Sequence, residues 1–187
     1  MKIDAKEIIK PTSILVIVAG LFTALVVGTN GLTEEKIAIL NEQTAAAAKV
    51  EVLPEADSFE TATVDTANGT IEYYEAANGA GYVFSTSYKS YGGALIVMTG
   101  ISADGEITGV KVTSCADTPG LGLKCQDASF QDQYKGALPE GGAFQVTKTG
   151  EAGKIDAISG ATITTNAVTN SVNYAIEAYN QLTGGAN

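Results

Sequence analysis

The chain has 187 residues, a formal net charge of −10 and no histidine or tryptophan. Without an imidazole it cannot build a Ser-His-Asp triad, a Cys-His dyad or a His-bound zinc site. The acidic balance argues against nucleic acid, because no basic surface is on offer to neutralise phosphates.

Pro11 to Thr33 is a run of 23 residues without a charge, with "SILVIVAGLFTALVV" at its centre. A helix of about 20 apolar residues matches a bilayer core of about 30 Å. A cleaved signal peptide is the rival reading. No A-x-A site directly follows the apolar run and there is no lipobox cysteine, and "GLTEEKIAILNEQTAAAAK" continues the helical pattern, so a retained transmembrane helix is expected. Lys2, Lys6 and Lys10 precede the span, whereas only Lys36 follows it closely, next to Glu34 and Glu35. The positive-inside rule then places residues 1–10 in the cytoplasm and everything after Leu32 on the extracytoplasmic side.

A juxtamembrane helix is expected over about Thr33–Lys49, then a polar linker to residue 69 with room for one edge strand. From residue 70 onward strand signals cluster. "TIEYYEA", "GYVFSTSY", "GALIVMTGI" and "ITGVKVTS" are rich in β-branched and aromatic residues, and the Asp-Gly of "SADGE" marks a hairpin turn. A loop, "CADTPGLGLKC", a short helix over Ala128–Lys135 and a strand, "AFQVTKT", follow. The last element, Thr165–Leu182, carries Val168, Val172, Ala175, Ile176, Tyr179 and Leu182 on one helical face. Strands first and helices at the edges predict an α+β fold: an antiparallel sheet with flanking helices behind an N-terminal membrane helix.

"DAISGATITT" (Asp156–Thr165) crowds hydroxyls at the start of that helix. On its own, such a cluster reads as capping, since Ser and Thr oxygens satisfy first-turn N–H groups. "DTPGLG" (Asp117–Gly122) alone reads as a Pro-Gly turn, and "SYGG" (Ser90–Gly93) likewise as a turn. Taken in order, "SYGGALIVMTGISADGEITGVKV", "DTPGLG" and "DAISGATITT" before a helix resemble the FMN-binding domain family shared by Rnf complexes and Na⁺-translocating quinone reductases. The resemblance spans Gly81 to Tyr179.

That resemblance implies FMN joined through its phosphate to the last threonine of "SGATIT", here Thr164, with Ser159, Gly160, Ala161, Thr162 and the neighbouring Thr165 as further contacts. It implies that Asp117, Thr118, Pro119, Gly120, Leu121 and Gly122 lie by the flavin ring, and that an FAD-dependent flavin transferase installs the bond. It implies a redox subunit, not catalytic alone, beside other membrane subunits. The G subunits of Rnf-type ferredoxin:NAD⁺ oxidoreductases, coupled to Na⁺ or H⁺ translocation, are the leading expectation. The C subunit of a Na⁺-translocating quinone reductase, a freestanding extracellular flavoprotein and a non-redox surface protein are the alternatives. Relatives often carry histidine and glutamate where this chain has Cys115 and Asp117. The physics agrees with the implied tether: a helix N-terminus offers about half a positive charge and free N–H donors to a phosphate.

Cys115 and Cys125 bracket the loop and are the only cysteines. Outside the membrane they can form a disulfide, worth about 2.5–3 kcal/mol in the chain-entropy model, or remain thiols. A metal shared with a partner is a third reading.

Overall fold

The computed structural model describes residues 5–151 and 154–184; Lys2 lies outside them, as do the side chains of Lys6, Lys10 and Glu35. Two compact units divide the chain, Met1–Gln43 and Thr44–Asn187.

The described part of the first unit, residues 5–43, lies in α1 (Ala5–Val52). Pro11–Glu34 has a mean hydropathy of 2.2 and is the one segment among the described residues long and apolar enough to cross a membrane. Two of its hydroxyls are turned onto the helix's own carbonyls: Ser13 Oγ donates to Ile9 O at 2.8 Å and Thr29 Oγ1 to Leu25 O at 2.7 Å. Such back-bonding gives these hydroxyl protons an acceptor within the helix itself.

The second unit is built on an antiparallel sheet in simple meander order: β1 (Phe59–Thr66), β2 (Gly69–Ala76), β3 (Gly81–Lys89), β4 (Ala94–Ser102), β5 (Glu106–Ser114) and β6 (Gly136–Ala137). β1 is the edge strand that the linker had room for. The "AFQVTKT" strand is cut short. Only β7 (Val146–Thr147) forms, and it pairs in parallel with β8 (Ile155–Asp156) rather than joining the main sheet. Phe144, in the same stretch, instead spends its backbone on Asn173, donating N–H to Oδ1 at 2.8 Å and accepting from Nδ2 at 3.1 Å. The expected helix over Ala128–Lys135 is a single turn, α2 (Ala128–Gln131), followed by a 3-10 turn.

Side chains alternate across the sheet, so each face has its own core. On one face Phe84, Leu95, Val97, Ile101 and Ile107 meet Val168, Val172, Ala175 and Ile176 of α3 (Thr162–Thr183). On the other, Val83, Met98 and Tyr74 meet Ala48 and Val52 at the end of α1, followed by Leu53. That second contact depends on two glycines. Gly100 of β4 and Gly109 of β5 are register partners, and both lie against Val52. A Cβ at position 100 would sit 2.3 Å from the Val52 carbonyl oxygen, and one at 109 would sit 3.0 Å from Val52 Cα. The same carbonyl, one of the last of α1, accepts a hydrogen bond from Thr108 Oγ1. Lys49 Nζ lies 3.4 Å from the centre of the Tyr74 ring, a contact worth about 0.5–1 kcal/mol when exposed.

The two cysteines are free thiols with their Sγ atoms 3.7 Å apart. Cys125 is fully buried, and burial, followed by the neighbouring Cys115, pushes its thiol up to about 12. Among the described residues no cluster of three or more potential metal ligands occurs, so the pair finds no third protein donor there.

Two outcomes follow from this packing. Gly100→Ala should cost about 1–3 kcal/mol in urea unfolding through overpacking against the end of α1, while Gly141→Ala, whose Cβ meets nothing within 4 Å, should be near neutral. Alkylation of the reduced, folded chain at pH 8 should label the half-buried Cys115 well before Cys125, and denaturation should make the two rates converge.

Candidate functional site

Three connections meet at one edge of the second unit. The β3–β4 turn brings Ser90 to Gly93, the segment after β5 brings Asp117 to Gly122, and the turn before α3 brings Gly160 and Ala161. They enclose a cavity of about 470 Å³ lined by Tyr91, Asp117, Thr118, Leu121 and Gly122 together with every residue from Gly160 to Thr164. That volume falls within the usual range for small-molecule and cofactor sites.

At its floor is Asp117, which is 4 % exposed. Thr164 Oγ1 donates to Asp117 Oδ2 at 2.5 Å, and Ser90 Oγ donates to the same oxygen. Gly92 N–H donates to Oδ1 at 2.5 Å. Burial by itself would raise this carboxyl's pKa. The hydrogen bonds from Ser90, Thr164 and Gly92 outweigh burial and hold it below the ordinary carboxylate value. Asp117 is therefore ionised at neutral pH, and it ties the three connections together.

The glycines make this approach possible. A Cβ on Gly122 would lie 2.5 Å from Asp117 Cβ and 2.8 Å from Thr164 Oγ1, and one on Gly92 would lie 2.2 Å from Ala116 O. Gly160 has φ +78°, a left-handed conformation that bends the chain into the helix.

Thr164 and Thr165 differ by one step of about 100° around α3. Thr164 faces the cavity and Asp117. Thr165 faces inward, accepting from Ile158 N–H at 3.0 Å and donating to Ala161 O at 3.0 Å. Its hydroxyl thus braces the turn from Ile158 to Ala161. No side chain caps α3 and no acidic residue occupies its first turn. The first intrahelical bond is Thr165 N–H to Ala161 O at 3.0 Å, so the N–H groups of Thr162, Ile163 and Thr164 precede the ladder.

Eight of the residues expected at a flavin site line this cavity: Asp117, Thr118, Leu121, Gly122, Gly160, Ala161, Thr162 and Thr164. Ser159 is exposed beside it, Thr165 is buried behind it, and Pro119 and Gly120 form the outer bend of the loop without lining the cavity. Reading "SYGG" as a turn understates it. Ser90 N–H does close that turn on Gly93 O at 2.6 Å, but Ser90 and Gly92 also hold Asp117, and Tyr91 lines the cavity. Ile163 is a lining residue that the motif reading passes over; its place between Thr162 and Thr164 in the first turn is the signal that points to it. Tyr91, Leu121 and Ile163 are exposed at 73 %, 45 % and 57 %, and they give the cavity its large apolar lining.

The sequence profile of the FMN-binding domain family matches residues 90–177. The chain is 34 % identical to the G subunit of the Na⁺-translocating ferredoxin:NAD⁺ oxidoreductase complex of Acetobacterium woodii, over 97 % of this chain and 96 % of that one. It is 33 % identical to the G subunit of the ion-translocating oxidoreductase complex of Methanosarcina acetivorans, over 93 % and 95 %. Among solved structures, the C subunit of the Na⁺-translocating NADH-quinone reductase of Parabacteroides distasonis matches with a TM-score of 0.53 at 25 % identity, over 64 % of this chain and 66 % of that one. With an N-terminal apolar helix, a meander sheet and a glycine-lined cavity at the start of its last helix, the chain belongs to the FMN-binding domain family, among the G subunits of ion-translocating oxidoreductase complexes.

Proposed function

We propose that this chain is a membrane-anchored electron-transfer protein bearing FMN on Thr164, within an Rnf-type ferredoxin:NAD⁺ oxidoreductase coupled to Na⁺ or H⁺ translocation. The observation that carries this reading is the Thr164 hydroxyl. It lines the cavity in the first turn of α3, beside backbone N–H groups that no side chain caps.

FMN fits the residues present. A phosphodiester on Thr164 would lie at the positive end of the α3 dipole, near the free N–H groups of the first turn. Gly122 and Gly160 add no side chain to the cavity wall, and the exposed Tyr91, Leu121 and Ile163 offer a ring apolar surface. Once bound, the flavin supplies the redox chemistry; the chain supplies position and partial exclusion of water. Thr165 is a poor attachment point, because its hydroxyl faces inward and braces the turn before α3. Attachment requires a separate flavin transferase using FAD, since this chain brings no activated phosphoryl donor. Electrons then pass to and from neighbouring subunits, with Pro11–Glu34 holding the chain in the lipid and the second unit on the extracytoplasmic side.

The full-length match to G subunits favours the Rnf-type assignment over the quinone reductase C subunit, whose solved relative covers 64 % of this chain. Nothing in these relatives favours a freestanding flavoprotein or a colourless surface protein.

Two measurements test the proposal. Peptide mapping after co-expression with a flavin transferase should find an FMN-sized mass increment on the peptide holding Thr164, absent in Thr164→Val and retained in Thr165→Val if that variant folds. A bare Thr164 in mature protein would refute the tether. For topology, a periplasmic reporter fused after Asn187 should be active and one fused after Lys10 inactive; the reverse pattern would place the flavin domain in the cytoplasm.

A further inference from the structure

We infer that Asp117 is the general base, supplied by this chain itself, for the attachment of FMN to Thr164. The inference rests on the reading of Thr164 as the tether, and adds to it a chemical role for a neighbouring residue.

A threonine hydroxyl is a weak nucleophile, and activating it requires an acceptor in hydrogen-bond contact. The chain contains no histidine. Asp117 Oδ2 is already the acceptor of the Thr164 proton, at 2.5 Å. Its other partners, Ser90 Oγ and Gly92 N–H, only donate to it in this arrangement and so fix the carboxylate in place while keeping it charged. Gly122 lets the two side chains meet, since any Cβ there would collide with both. Thr164 is 2 % exposed and lines the cavity, so the phosphoryl group must reach it through that space.

The step balances without a redox change. Thr164 Oγ bonds to the phosphorus on the flavin side of the FAD pyrophosphate, and the bond from that phosphorus to the bridging oxygen breaks. AMP departs with that oxygen, and the Thr164 proton passes to Asp117 Oδ2. A carboxylate with a depressed pKa is a poor base toward a resting alcohol. It becomes competent as the oxygen–phosphorus bond forms and the hydroxyl acidifies, so the transfer is concerted with attack. Electrostatics favours the same direction: an ionised Asp117 beside a new phosphodiester would pair two negative charges in a buried site, and accepting the proton removes one of them.

The test uses the full-length chain in detergent with purified flavin transferase and FAD, following the initial rate of covalent flavin fluorescence. Asp117→Asn removes the base but leaves an amide near Ser90 and Gly92, and Asp117→Ser removes the carboxylate outright. Either variant, if its unfolding midpoint is close to wild type, should lose about 10²-fold or more in kcat, with the KM for the acceptor chain little changed. Asp117→Glu, which keeps a carboxylate, should retain more of the rate than either neutral variant. Neutral variants modified at the wild-type rate, or faster, would overturn the inference while leaving Thr164 as the tether. A wild-type chain that takes no flavin on Thr164 would sink both.

Discussion

The structure of the site depends on one carboxylate. Asp117 comes from the segment after β5, yet its partners come from the β3–β4 turn and from α3. A buried charge is costly unless it is fully hydrogen-bonded, so these partners are needed to keep the charge where it is. In satisfying it they fix the relative positions of three connections that would otherwise be independent loops. Both cores lie elsewhere. They make the sheet stable, but the edge where the three connections converge is organised by polar contacts.

Much of this was legible in the amino-acid order. Enrichment in β-branched and aromatic residues marked the strands from β2 to β5, because a sheet with a core on each face buries side chains of both phases. The apolar stripe of α3 likewise matched the face it buries. "AFQVTKT" misled for a physical reason: a short run of strand-forming residues becomes a strand only if an edge is free to pair with it. Here the Phe144 N–H and C=O are both spent on Asn173, and Val146–Thr147 pairs with β8 instead of the main sheet. Propensity carries no information about which partners compete for a backbone.

The site was legible in its letters and not in its wiring. "DTPGLG" and "SGATIT" pointed to the residues that line the cavity. That Ser90 and Gly92 serve Asp117 across more than twenty positions cannot be read from local pattern, since a Ser-x-Gly-Gly turn looks the same whatever lies opposite it. The glycines are similar. Gly100 and Gly109 sit in strands where glycine is normally unfavourable, and only the approach of Val52 explains them.

The contrast between Thr164 and Thr165 has a broader meaning. Two adjacent side chains of the same chemistry point to opposite environments because α3 rotates by about 100° per residue. Which hydroxyl meets the cavity is therefore a matter of angular phase, set by the apolar stripe that seats α3 on the sheet. One residue inserted between Thr165 and Val168 would turn Thr164 away from Asp117 by about 100°, even with every letter of the motif preserved.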